Sequence, residues 1–122
     1  MEESNVILVI DDSNTALLLM EYALSEAGYK ALVVSSAKEA VEFLRNATPR
    51  MILLDLNMPD ISGLDFLKMK KELHLENTPI LVVSAYDSPE SVKTVKELGA
   101  IDLIPKPIRI DALMKIIHAH LK

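Results

Sequence analysis

The sequence predicts an α/β domain over residues 1–122: a doubly wound, five-stranded parallel sheet of (βα)5 type. Three observations predict it. Five short runs rich in Val, Ile and Leu are each bounded by turn residues, as strands buried on both faces are. Each run is followed by a stretch whose apolar residues recur at helical spacing. The connections are long enough for the right-handed crossover that parallel strands require. Periodicity leaves the strand order open between two common solutions.

Val6 to Ile10 is the first run, and it ends on Asp11 and Asp12. Leu17, Met20, Leu24 and Ala27 then mark a helix over about 14–27, with Gly28 placed for a left-handed C-terminal cap. Ala31 to Val34 is the second strand, and Ser36 with Glu39 forms a capping box before Ala37, Ala40, Val41 and Leu44. The third run, Met51 to Asp55, is cut off by Met58-Pro59, and Ser62 is placed to cap a helix reaching Leu73. Ile80 to Val83 stops on Ser84, and Ser88-Pro89-Glu90 starts a fourth helix that Gly99 closes. The fifth strand, Ile101 to Ile104, is interrupted by Asp102, as an edge strand tolerates, and ends at Lys106-Pro107. Ile110, Leu113, Ile117 and Leu121 form the stripe of the last helix.

Composition narrows the function classes. Hydrophobic residues make up 50% of the chain, which supports a folded core. With 13 Lys+Arg against 18 Asp+Glu the net charge is −5, which argues against the basic surface of a nucleic-acid binder. The absence of cysteine removes disulfides, thiol nucleophiles and thiolate zinc sites. The acidic start lacks a signal-peptide layout, and no apolar run approaches membrane-spanning length, so a cytoplasmic domain is expected.

In an open α/β sheet the carboxyl ends of the strands share one rim, where ligands bind. That rim collects Asp11, Asp12, Asp55, Ser84 and Lys106. Clustered acids raise one another's pKa and invite a cation; oxygen donors with room for waters suit Mg²⁺. A metal, a lysine and a hydroxyl together are what a phosphoryl group on a carboxylate requires. Each residue also has a structural explanation: Asp12 or Ser13 as a helix cap, Ser84 as a turn hydroxyl, Lys106 as a solvated edge lysine. Their coincidence at one rim favours chemistry.

Val-Ile-Asp11-Asp12-Ser, Leu-Leu-Asp55-Leu-Asn57-Met58-Pro59 with Gly63 after it, Val-Val-Ser84-Ala85 and Lys106-Pro107 resemble the receiver domain of two-component response regulators. The likeness spans essentially the whole chain. It implies the flavodoxin-like order 2-1-3-4-5 and a phosphoryl group passed to Asp55 from a phosphohistidine of a sensor kinase or phosphotransfer protein. It further implies Mg²⁺ on Asp11, Asp12, Asp55 and the backbone carbonyl of Asn57, contacts to the phosphoryl group from Ser84 and Lys106, and a cis bond at Pro107.

Where many receivers carry a switching Tyr or Phe, this chain has Leu103, so a smaller or different rearrangement of the helix 4, strand 5, helix 5 face is expected. That face is also the expected surface for a homodimer. Ala85 and Tyr86 follow Ser84, and the Tyr86 side chain is placed to overhang the site. Pro105, before Lys106, stiffens the approach to the lysine.

His74, His118 and His120 read as solvated, the methionines as core filler, and Lys68, Lys70 and Lys71 as the wet face of helix three. The expected protein is a binding module that promotes its own phosphorylation without separate substrate turnover. A haloacid dehalogenase-type phosphatase uses similar groups but places a second Asp where this chain has Asn57. A nucleotide-binding domain is disfavoured by glycines that form no phosphate loop. An inert pseudo-receiver is the remaining alternative. The sequence does not distinguish a complete regulator, a relay intermediate and a receiver from a longer protein.

Overall fold

The computed structural model describes residues 2–3, 5–58 and 60–121, with backbone alone for Glu2 and Glu3. Pro59, read as part of the turn after Asp55, lies outside them. Five strands, β1 (Val6–Ile10), β2 (Lys30–Val34), β3 (Met51–Asp55), β4 (Ile80–Ser84) and β5 (Asp102–Pro105), form one parallel sheet in the order 2-1-3-4-5. The helices are α1 (Asn14–Glu26), α2 (Ala37–Leu44), α3 (Gly63–Lys68), α4 (Pro89–Glu97) and α5 (Ile110–Leu121). The five-stranded, doubly wound reading and its order therefore hold. A two-residue parallel pairing of Glu2–Glu3 with Ala47–Thr48 adds an element too short for any sequence pattern. None of the helices among the described residues is long and apolar enough to cross a membrane.

Strand alternation divides the core. Ile7, Val9, Met51, Leu53, Leu81 and Ile104 point to α1 and α5, meeting Leu17, Met20, Leu24, Leu113 and Ile117. Leu8, Ile10, Ile52, Leu54, Val82 and Leu103 point to the other side, where α2, α3 and α4 supply Ala40, Leu44, Phe66, Leu67 and Val95. Burial on both faces explains why β3 and β4 read as unbroken apolar runs, being buried at every position. The edge strand β2 instead alternates exposed and partly buried residues up to Val34.

Helix ends follow local chemistry. Gly28, at φ 90°, closes α1 by letting the Tyr29 amide reach back to the Leu24 carbonyl at 2.9 Å. The third helix departs from the expected run to Leu73: regular α-helix stops at Lys68, and turns continue to His74. His74 takes the left-handed position at φ 59°, and the Leu75 amide bonds to the Lys70 carbonyl at 2.8 Å. This reversal carries Leu75 into the core, where it is fully buried. The capping box of α2 is also altered. Ser36 accepts from the Glu39 amide, but Glu39 reaches back to Ser35, taking its amide at 2.9 Å and its hydroxyl at 2.8 Å.

Candidate functional site

The parallel register brings four strand ends to one rim. Asp11 follows β1 and continues its pairing, its amide donating to the Val34 carbonyl. Asp55 is the last residue of β3 and Ser84 the last of β4. Lys106 lies just past β5, held by its amide to the Ser84 carbonyl at 2.9 Å, and the Lys106–Pro107 bond is cis. All are buried or partly so: Asp11 and Ser84 are 0% exposed and Asp55 4%, whereas Asp12 is exposed.

Lys106 is not a solvated edge residue. Its Nζ donates to Asp11 Oδ2 at 2.9 Å and lies 3.6 Å from Asp55 Oδ1. Burial alone would lower its pKa, but the hydrogen bond and charge of Asp11, with the charge of Asp55, outweigh that and hold the ammonium above its usual value. The other Asp11 oxygen, Oδ1, accepts from the Ser13 amide at 2.9 Å. Ser13 itself is the cap of α1, its Oγ accepting from Ala16, so Asp12 is spared that role. Ser84 Oγ accepts from the Tyr86 amide at 3.0 Å, which leaves its hydroxyl hydrogen free to donate elsewhere.

Burial pushes the Asp55 carboxyl up, and the Asp11 charge adds to the shift; the Lys106 charge and the nearby Asn57 backbone amide oppose it. Repulsion between acids was the cause anticipated from sequence, yet desolvation is the larger one. Oxygen atoms of Asp11, Asp12 and Asp55 all lie within 4.8 Å of one another. Three carboxylates face one lysine, so the donor set is hard and its charge only partly compensated. That chemistry fits Mg²⁺.

The turn after Asp55 is held at its base by the Gly63 amide on the Leu56 carbonyl at 2.8 Å. A Cβ at Gly63 would stand 2.6 Å from both the Asp55 carbonyl oxygen and Leu56 Cα, so only glycine permits this approach.

Leu103 is 7% exposed and packs on the side of α2 to α4. Tyr86 is 64% exposed, and Ala85 beside it is also exposed. His118 is bonded through Nδ1 to the Tyr29 hydroxyl at 2.8 Å, and Lys70 donates to the Gly99 carbonyl at 3.1 Å.

Sequence reading overlooked Asp60, whose carboxylate accepts three backbone N–H groups, two of them from the start of α2. Those α2 partners lie 22 and 23 residues away, so no local pattern shows them.

Residues 7–118 match the family described as response regulator receiver domain. Among relatives, the chain is 34% identical over 99% of its length to the response regulator protein TodT of Pseudomonas putida, covering 53% of that protein. It is 27% identical over 94% of its length to sporulation initiation phosphotransferase F of Bacillus subtilis, covering 92% of it. A probable cyclic di-GMP phosphodiesterase of Vibrio cholerae is 32% identical over 95% of this chain, which spans only 26% of that relative. Among solved structures, the chemotaxis protein CheY4 of Vibrio cholerae superposes with a TM-score of 0.86 at 29% identity, 99% of each chain being covered. A shared fold and a family match over nearly the whole chain lead to one conclusion: the chain belongs to the response regulator receiver domain family.

Proposed function

We propose that the chain is a phosphoacceptor of a two-component pathway, with Asp55 receiving a phosphoryl group from a phosphohistidine of a sensor kinase or phosphotransfer protein. The observation that carries this reading is the placement of Asp55 at the end of β3, 3.6 Å from the Lys106 ammonium and beside the Asp11 and Asp12 carboxylates. An Asp55 carboxylate oxygen forms the new bond to phosphorus while the phosphorus–nitrogen bond breaks, its electron pair passing to the imidazole nitrogen. Lys106 neutralises charge on the transferred oxygens, and Ser84 donates its free hydroxyl hydrogen to one of them. Asp11, Asp12, Asp55 and the Asn57 carbonyl hold Mg²⁺, which supplies further charge neutralisation when bound.

An apolar groove between the start of α1 and the segment Lys106–Ile108, lined by Ala16, Leu19 and Pro107, opens beside the lysine. Leu18 and Tyr22 on α1 are 67% and 66% exposed. Such a surface suits a helical partner that presents its histidine over Asp55. We place this exchange in the cytoplasm and assign the domain no turnover beyond its own phosphorylation and dephosphorylation. Output and homodimer contacts fall to the face of α4, β5 and α5, where buried Leu103 replaces an aromatic switch.

Intact-mass measurement after incubation with acetyl phosphate and Mg²⁺ tests the reading. One added phosphoryl group is expected on this chain and none on Asp55→Asn. No addition to either would indicate an inert pseudo-receiver, and steady turnover of phosphate esters would indicate a phosphatase.

A further inference from the structure

Asn57 stands two residues after Asp55, in the segment that leads to the start of α3 at Gly63. The base of that segment is fixed by the Leu56–Gly63 bond. Its far side is fixed by Asp60: Oδ1 accepts from Ala37 at 3.2 Å and from Ile61 at 2.9 Å, and Oδ2 accepts from Lys38 at 2.9 Å. Asp60 is an exposed residue, so burial does not hold it there. What holds it is a carboxylate closing on the first amides of α2, which have no partner within their own helix.

Helix α2 already has its own cap in Ser36, which accepts from Glu39. Asp60 therefore acts between elements, joining the turn after the phosphoacceptor position to a helix more than twenty residues earlier in the chain.

We infer that Asp60 is a positioning residue for the metal-binding segment: by closing on the N-terminus of α2, it restrains where Asn57 stands relative to Asp55. This rests on the functional reading above, in which Asn57 and Asp55 share a Mg²⁺ ion. The clamp restrains only the turn. Asp11, Asp12 and Lys106 belong to other segments and keep their places without it, so its removal weakens metal binding and does not abolish it.

The test is a Mg²⁺ titration of four proteins, the unaltered chain, Asp60→Ala, Asp60→Asn and Ser36→Ala, followed by the amide resonances of Asp11 and Asn57, with thermal unfolding measured in parallel. Losing a cap is worth about 1 kcal/mol, so Asp60→Ala is expected to weaken Mg²⁺ binding about fivefold. Asp60→Asn keeps one acceptor oxygen and is expected to recover most of the affinity. Ser36→Ala removes a cap from the same helix without touching the turn; it should lower the unfolding temperature and leave Mg²⁺ affinity unchanged. Unchanged affinity in Asp60→Ala would overturn the inference, as would an equal loss in Ser36→Ala, which would trace the effect to helix stability. Absence of saturable shifts in the unaltered chain would instead overturn the functional reading together with the inference.

Discussion

The two ends of the sheet treat charge in opposite ways. At the carboxyl rim, Asp11 and Asp55 are buried almost completely, and Lys106 bridges them at 2.9 and 3.6 Å. At the amino rim, Tyr29 bonds an exposed His118, Arg50 stands 5.7 Å over the Tyr29 ring, and Arg50 donates to the Leu121 carbonyl at 3.1 Å. The second cluster is partly exposed and ties the end of α5 to the residues before β2 and β3. The first holds ionised groups away from water, a costly arrangement when stability alone is at stake. The contrast teaches that polarity at a sheet end is no sign of chemistry by itself; burial without full charge compensation is.

Breaking the bridge at the carboxyl rim should have the largest effect. Lys106→Met leaves two buried acids without their cation and is expected to destabilise the metal-free protein at neutral pH. The loss should be about 2–3 kcal/mol, below the range for fully buried pairs because Lys106 is 25% exposed. Urea unfolding in the presence of a chelator measures it.

The Asp55→Asn variant should move stability the other way. The Asp55 carboxyl is raised in the folded protein, burial being the first cause, so the native state holds its proton to higher pH than the unfolded chain does. Stability of the metal-free protein therefore falls as pH rises from the unfolded value of about 3.9 through the folded one. Asp55→Asn lacks this penalty. It should unfold at a higher temperature than the unaltered chain at neutral pH, and the difference should vanish below pH of about 3.9. A gain that persists unchanged into acid would contradict the assigned cause.

The smallest effect is expected at the amino rim. Tyr29→Phe removes one exposed hydrogen bond and should cost less than about 1 kcal/mol, leaving Mg²⁺ affinity untouched. Calorimetry of the variant with and without the metal checks both points.

What was legible in the sequence follows the same division. The central apolar runs could be read because burial on both faces leaves an unbroken signature, as in Met51 to Asp55. Strand order came from the resemblance of the motifs, since hydrophobic period carries no information on neighbours. The end of the third helix was misplaced because Leu73 continues the apolar spacing, although regular helix gives way to turns after Lys68. The fifth strand was set one residue early because its limits depend on pairing with Leu81 to Ser84 rather than on its own residues. At the rim, residue types were legible but not their commitments: only the structure divides Asp11 between Ser13 and Lys106, or gives the α1 cap to Ser13 and not Asp12. Asp60 was invisible for the same reason, its partners on α2 being distant in sequence.

The most direct measurement of the central claim is an amide chemical-shift map of the metal-loaded protein before and after beryllofluoride. The account predicts shifts at Asp11, Asn57, Ser84 and Lys106, smaller ones at Leu103, and none around Tyr29, Arg50 and His118. Shifts centred on Leu103, or an amino rim that responds as strongly as the carboxyl rim, would contradict it.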